Sequence, residues 1–183
     1  KEDPEAVQIL FRSFNQWLEE DWGMDYQNRI FAAPYISMSR VDDACAELER
    51  VLEKGARLIC MRPAAVWTED GPKSPADPMF DPFWARVNEA GITVVVHAGD
   101  SGYTTHGYAP DGFSATFGGG WSPSIKAFNI ERAAYDYLIT LVFEKLFVRF
   151  PNLRVASVEN GSDFLPDLQR KLGQHHLRRA DWF

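Results

Sequence analysis

The sequence places this chain in the α/β class, built on a parallel sheet, and three observations do so. Short β-branched or apolar runs stop at strand length, stretches with helical spacing follow them, and strands joined by helical crossovers cannot form hairpins and so must pair in parallel. The order reads as one helix and then strand–helix four times over.

The first helix covers residues 5–20, where Ala6, Ile9, Leu10, Phe14, Trp17 and Leu18 recur at helical spacing. A strand is expected over 29–36, weakened in its second half by Pro34, which donates nothing to a ladder. In the next helix Ser39 and Asp42 read as a capping pair. Val41, Ala44, Cys45, Leu48, Val51 and Leu52 line one of its faces, and Gly55 closes it. Residues 57–61 (RLICM) form a short apolar strand. Asp81 and Pro82 read as the N-cap and first residue of a helix that carries Phe83, Trp84 and Val87 and stops at Gly91.

The stretch GITVVVHAGDSGY, residues 91–103, contains a strand over 92–97 apolar enough to be buried on both faces, yet it ends on His97. Residues 98–129 are too long for an ordinary connection. Tyr103, Tyr108, Phe113, Phe117, Trp121 and Phe128 make this segment a lid-like insertion with an aromatic wall, or an arm at a dimer interface. A long apolar helix over 130–150 ends at Pro151. LRVASV is the fourth strand and leads into Glu159-Asn160-Gly161. The last helix starts near Asp163, holds Pro166 in its first turn and ends at Gly173. No repeat or linker divides residues 1–183, so a single domain is expected.

The composition, 45% apolar and 25% charged in 183 residues, is that of a globular chain. A net charge of −7 speaks against nucleic acid and anionic membranes as partners. No apolar run is long enough to span a bilayer, and the opening Lys1-Glu2-Asp3-Pro4-Glu5 is no signal peptide. Cys45 and Cys60 read as buried free thiols, which fits a reducing cytoplasm.

In parallel α/β folds ligands gather at the carboxyl ends of strands. That rule selects Arg62, His97 and Glu159-Asn160. His97 reads as a metal ligand or general base against the alternative of a core histidine. Glu159 could ligate a metal, accept a proton, or pair with Arg62. Arg62 offers a planar fork for a substrate carboxylate, and Trp67, Tyr103 and Trp121 are assigned to the substrate with it. His106 lacks a second ligand, and His175 and His176 read as surface residues.

At VVVHAGDSGY and FPNLRVASVENGSDFLPDL the chain resembles the amidohydrolase-related family that includes aminocarboxymuconate-semialdehyde decarboxylase. LERVLEKGARLICMRPA is similar to that family's helix and fourth strand, FDPFWARVNEAGITVVVHAG to its next helix and fifth strand, and FPNLRVASVENG to its sixth. The resemblance implies a (β/α)8 TIM-barrel-type fold, with about four of the eight strands present here, and a divalent metal, zinc first, at the carboxyl face. It makes His97 a metal ligand. Glu159 stands where the family often carries a histidine that helps deprotonate metal-bound water, which implies a catalytic proton-transfer role. The family's His-x-His and its late-strand aspartate have no counterpart in these residues, so the chain is expected to be the central part of a longer enzyme and inactive alone. The implied activity is hydrolysis of a small organic substrate by metal-activated water. The alternatives are metal-dependent non-oxidative decarboxylation of a small aromatic or unsaturated carboxylic acid and, in another class, a non-catalytic barrel fragment without metal. A homodimer is a family-level expectation.

Overall fold

A computed structural model describes residues 3–99 and 131–183. At its centre, three strands pair in parallel: β3 (Leu58–Met61), β6 (Thr93–His97) and β7 (Arg154–Val158), in the order β3-β6-β7. Tyr35 adds a single parallel bridge to Cys60 on the outer side of β3. The strand expected over 29–36 is therefore broken: its start pairs in a separate antiparallel hairpin at Ile30–Phe31, and only Tyr35 bridges to the parallel sheet. Pro34 lends its carbonyl to the Cys60 N–H (2.8 Å) and Ile36 donates to the Cys60 carbonyl (3.0 Å). Tyr35, between them, points its own N–H and C=O away from β3, toward the side-chain amide of Asn15.

Helix α1 (Pro4–Trp22) starts from Asp3, whose carboxylate accepts from the Glu5 and Ala6 N–H groups, with Pro4 in the first turn. Its Ile9, Leu10, Phe14 and Trp17 stay exposed, whereas Asn15 is fully buried. A short antiparallel hairpin follows, β1 (Asp25–Tyr26) with β2 (Ile30–Phe31). Helix α2 (Val41–Glu53) lacks the expected cap, because Ser39 is occupied by Ser37 and Gln8 and Arg40 takes the N-cap position without a side-chain bond. Its C-terminus matches expectation. Gly55 sits at φ +93°, and the Gly55 and Ala56 N–H groups satisfy the Leu52 and Val51 carbonyls.

Between β3 and the next helix lies a second hairpin, β4 (Val66–Thr68) with β5 (Gly71–Lys73), which the apolar pattern does not reveal. Asp77 caps the 3-10 turn Pro78–Phe80, and α3 (Asp81–Ala90) continues from it. Asp81 is thus inside the helix rather than its N-cap, and its carboxylate pairs with Arg149. Gly91 ends α3 in the left-handed region as expected.

The helix foreseen over 130–150 is two: α4 (Arg132–Phe143) and α5 (Leu146–Arg149), separated by Lys145 at φ +57°. The break buries Leu146 completely and lets Arg149 reach Asp81 and the Ala76 carbonyl. The final helix, α6 (Phe164–Arg178), runs through Gly173 instead of stopping there. Rings hold the extra turn in place, with His175 packed against Phe143 and Trp182.

The core lies on one side of the sheet. Ile59, Met61, Val94 and Val96 form one cluster with Leu48 and Val51 of α2, Phe83, Trp84 and Val87 of α3, and Tyr137 and Leu141 of α4. Full burial of each large side chain contributes about 1.5–3 kcal/mol. Trp84 keeps its indole N–H satisfied on the Pro75 carbonyl at 2.8 Å. The other face carries Cys60, Val95, His97, Ala156 and Val158, all half-buried or exposed. Among the described residues β6 is fully buried on one face and half-buried or exposed on the other, and the two free cysteines are half-buried. No helix among the described residues is long and apolar enough to cross a membrane.

Candidate active site at the carboxyl ends of the strands

Strand register sets the candidate side chains at one end of the sheet. Met61 pairs with Val96, so Arg62 leaves β3 beside His97, and His97 itself pairs with Val158, the residue before Glu159. His97 is the last residue of β6, anchored by the fully buried Val94 and Val96. Its Nδ1 lies 3.1 Å from the Ala98 carbonyl. A carbonyl only accepts, so Nδ1 carries the proton and Nε2 is the nitrogen left for a ligand or a carboxylate.

Glu159 Oε2 stands 3.4 Å from that Nε2. Both side chains are open to solvent, 48% for His97 and 71% for Glu159, so the contact adds little stability as an ion pair, about 0–1 kcal/mol. Glu159 takes an unusual backbone to get there, with φ +58°. The buried Asn160 beside it donates from Nδ2 toward the Val96 and Val158 carbonyls.

Whether these residues suit a divalent cation follows from their donors. Two ligands at 2.0–2.1 Å from a tetrahedral ion lie about 3.3 Å apart. The imidazole–carboxylate separation matches that edge, and the second-nitrogen bond to a carbonyl is the usual support of a ligating histidine. A catalytic site takes about three protein ligands, and no group of three or more His, Cys, Asp or Glu assembles among the described residues. His97 fits as one member of such a set, with the Glu159 carboxylate beside it placed to ligate or to accept a proton.

Arg62 and Trp67 meet elsewhere on the same rim. They line one cavity of about 230 Å3 together with Phe11, Tyr35, Met38 and Met61. Trp67 reaches it from hairpin β4–β5, and Phe11 and Tyr35 stack as tilted rings at 4.4 Å. The described residues thus hold two pairs, His97 with Glu159 and Arg62 with Trp67; Tyr103, Trp121 and nearly all of the 98–129 insertion lie outside them. Cys60, on the open face of β3, has its thiol pushed up chiefly by burial. Sequence reasoning missed Phe11, Tyr35 and Met38 as cavity walls and gave Asn160 no role. The available signal was Asn160-Gly161 one residue beyond the strand, which marks a tight turn there.

The amidohydrolase family model matches residues 1–170. An amidohydrolase from Mycobacterium avium subsp. paratuberculosis K-10 is 36% identical with a TM-score of 0.84, the match covering 99% of this chain and 45% of that one. The 5-carboxyvanillate decarboxylase of Sphingomonas paucimobilis matches at 17% identity and TM-score 0.68, over 98% of this chain and 49% of its own. A dihydroxybenzoic acid decarboxylase from Polaromonas sp. JS666, solved with bound manganese and the inhibitor 2-nitroresorcinol, matches at 20% identity and TM-score 0.59, over 85% and 45%. At those identities the two decarboxylases are similar to this chain in fold. No curated protein matches the chain. The chain spans about half the length of these solved relatives. Parallel strands with helices packed against them and a family match over most of the residues agree: this is part of a (β/α) barrel, and the chain belongs to the amidohydrolase family.

Proposed function

We propose that the protein is a metal-dependent enzyme that hydrolyses a small organic substrate with a metal-activated water. The observation that carries this reading is the His97–Glu159 pair, an imidazole and a carboxylate 3.4 Å apart at the carboxyl ends of adjacent strands. When bound, a divalent ion, zinc first and manganese second, supplies Lewis acidity and lowers the pKa of water to about 7. His97 presents Nε2 as one ligand, its ring held by the Ala98 carbonyl. Glu159 takes the proton released by the water and passes it on; its solvent exposure leaves a path for exchange. Arg62 holds an anionic group of the substrate, and Trp67, with Tyr103 and Trp121, supplies apolar walls. The enzyme is proposed to work in the cytoplasm, where free thiols such as Cys45 and Cys60 persist, and to form a homodimer.

A second reading is non-oxidative decarboxylation of a small aromatic or unsaturated carboxylic acid. The cavity that joins Arg62 to Phe11, Tyr35 and Trp67 favours it, because a guanidinium beside aromatic walls suits such an acid. The two readings separate in one assay series. Full-length protein, stripped by a chelator and restored with zinc or manganese, is offered amides, esters, lactones and aromatic carboxylic acids. Metal-dependent hydrolysis is the expected result. Release of carbon dioxide would move the assignment to decarboxylation, and inactivity on both sets with metal bound would leave a non-catalytic barrel.

A further inference from the structure

We propose that Asn160 is the positioning residue of this site: its amide ties the carboxyl ends of β6 and β7 together and folds the chain back across Glu159, so that the Glu159 carboxylate meets the His97 imidazole. The inference rests on the reading of His97 and Glu159 as the metal-site pair.

Asn160 is 2% exposed, one of few polar side chains so deeply buried among the described residues. Its Nδ2 lies 2.9 Å from the Val158 carbonyl, 3.0 Å from Ser157 Oγ and 3.3 Å from the Val96 carbonyl. Turning the amide over would set its oxygen against two carbonyl oxygens, so the chemistry fixes its orientation. Val96 is the residue before His97, and Val158 is the residue before Glu159. One amide therefore grips the carbonyl immediately upstream of each member of the pair. The contact to Val158 closes a small ring over Glu159, whose φ of +58° is a conformation that L residues with a Cβ avoid. Gly161, at φ +66°, completes the turn.

An asparagine needed only to form a turn would have no reason to reach across strands to Val96. Nor does the amide satisfy itself: Oδ1 is buried with no partner among the described residues. A buried polar atom left in that state calls for an explanation outside stability. The Nδ2 contacts to both strand ends hold Asn160 in place despite that cost. The role is that of a supporting shell, which holds ligating side chains without touching the ion.

The test uses the full-length protein and Mn2+ as probe, with binding read by electron paramagnetic resonance. Wild type, His97→Ala and Asn160→Asp are compared, each verified as folded by circular dichroism. Asn160→Asp keeps the shape and removes the donors. The expected result is loss of binding in His97→Ala and an affinity about 10–100-fold weaker in Asn160→Asp. A second measurement needs no variant. In wild type, the Asn160 side-chain amide protons should exchange slowly with solvent and shift when Zn2+ is added, as seen by nuclear magnetic resonance. Wild-type affinity in Asn160→Asp, or an amide that exchanges freely and ignores zinc, overturns the proposal while the His97 reading stands. Undiminished binding in His97→Ala, or no binding in wild type, removes that reading and the proposal with it.

Discussion

Glu159 carries a left-handed backbone, φ +58°, without being glycine. For a residue with a Cβ that conformation costs about 1–2 kcal/mol, and strain of this kind collects where a side chain must be aimed. Here the aim is visible, since the carboxylate ends 3.4 Å from His97 Nε2. Glu159→Gly and Glu159→Ala both remove the carboxylate, but only glycine is at ease at positive φ. Glu159→Gly should therefore be more stable than Glu159→Ala by about 1 kcal/mol in urea unfolding. Equal stability of the two would mean that residue 159 does not hold this conformation in solution. His97 was legible in the sequence because a β-branched run ending on an imidazole is easily seen. The geometry at 159 was not, for glutamate gives no warning of positive φ, and the same holds for Lys145 at φ +57°, where one predicted helix becomes α4 and α5.

On the outer side of β3, α1 engages the Tyr35 backbone. Asn15 accepts from the Tyr35 N–H at 2.7 Å and donates to the Tyr35 carbonyl and to Glu47 at 2.9 Å each. Its side-chain amide pairs with both backbone polar groups of Tyr35 and so ties α1 to that segment. Glu47 in turn accepts from Arg50, which reaches Glu19 of α1 at 2.5 Å, so the buried polar chain locks α1 to α2. Asn15→Ala would leave the N–H and C=O of Tyr35 without this partner and is expected to cost about 2–4 kcal/mol in chemical denaturation. A loss under about 1 kcal/mol would mean that water replaces the amide. The sequence shows Asn15 inside an apolar helical pattern with nothing to mark it as the buried member. Hairpins β1–β2 and β4–β5 escaped for a related reason: with two or three residues per strand, and Pro72 in one of them, they carry too little periodicity to register.

Across the whole molecule, the parallel sheet was legible because each of its strands is a short apolar run and stretches of helical pattern lie between them. Gly55 and Gly91 terminate helices where expected, and β3, β6 and β7 fall within a residue of their anticipated bounds. What the pattern could not reveal is which face of the sheet is covered. Helices bury Ile59, Met61, Val94 and Val96 on one side, while Cys60, Val95 and His97 line the other. The imidazole and the carboxylate stand at the carboxyl end of that second face, and the metal role proposed for His97 is the central claim to test. The most direct test is the divalent-metal content of the full-length protein by elemental analysis, set beside a His97→Ala variant of intact fold. About one zinc or manganese ion per chain, lost in the variant, is the expected result. No bound metal in either protein, with both folded, would contradict it and return His97 to the role of an ordinary strand-end histidine.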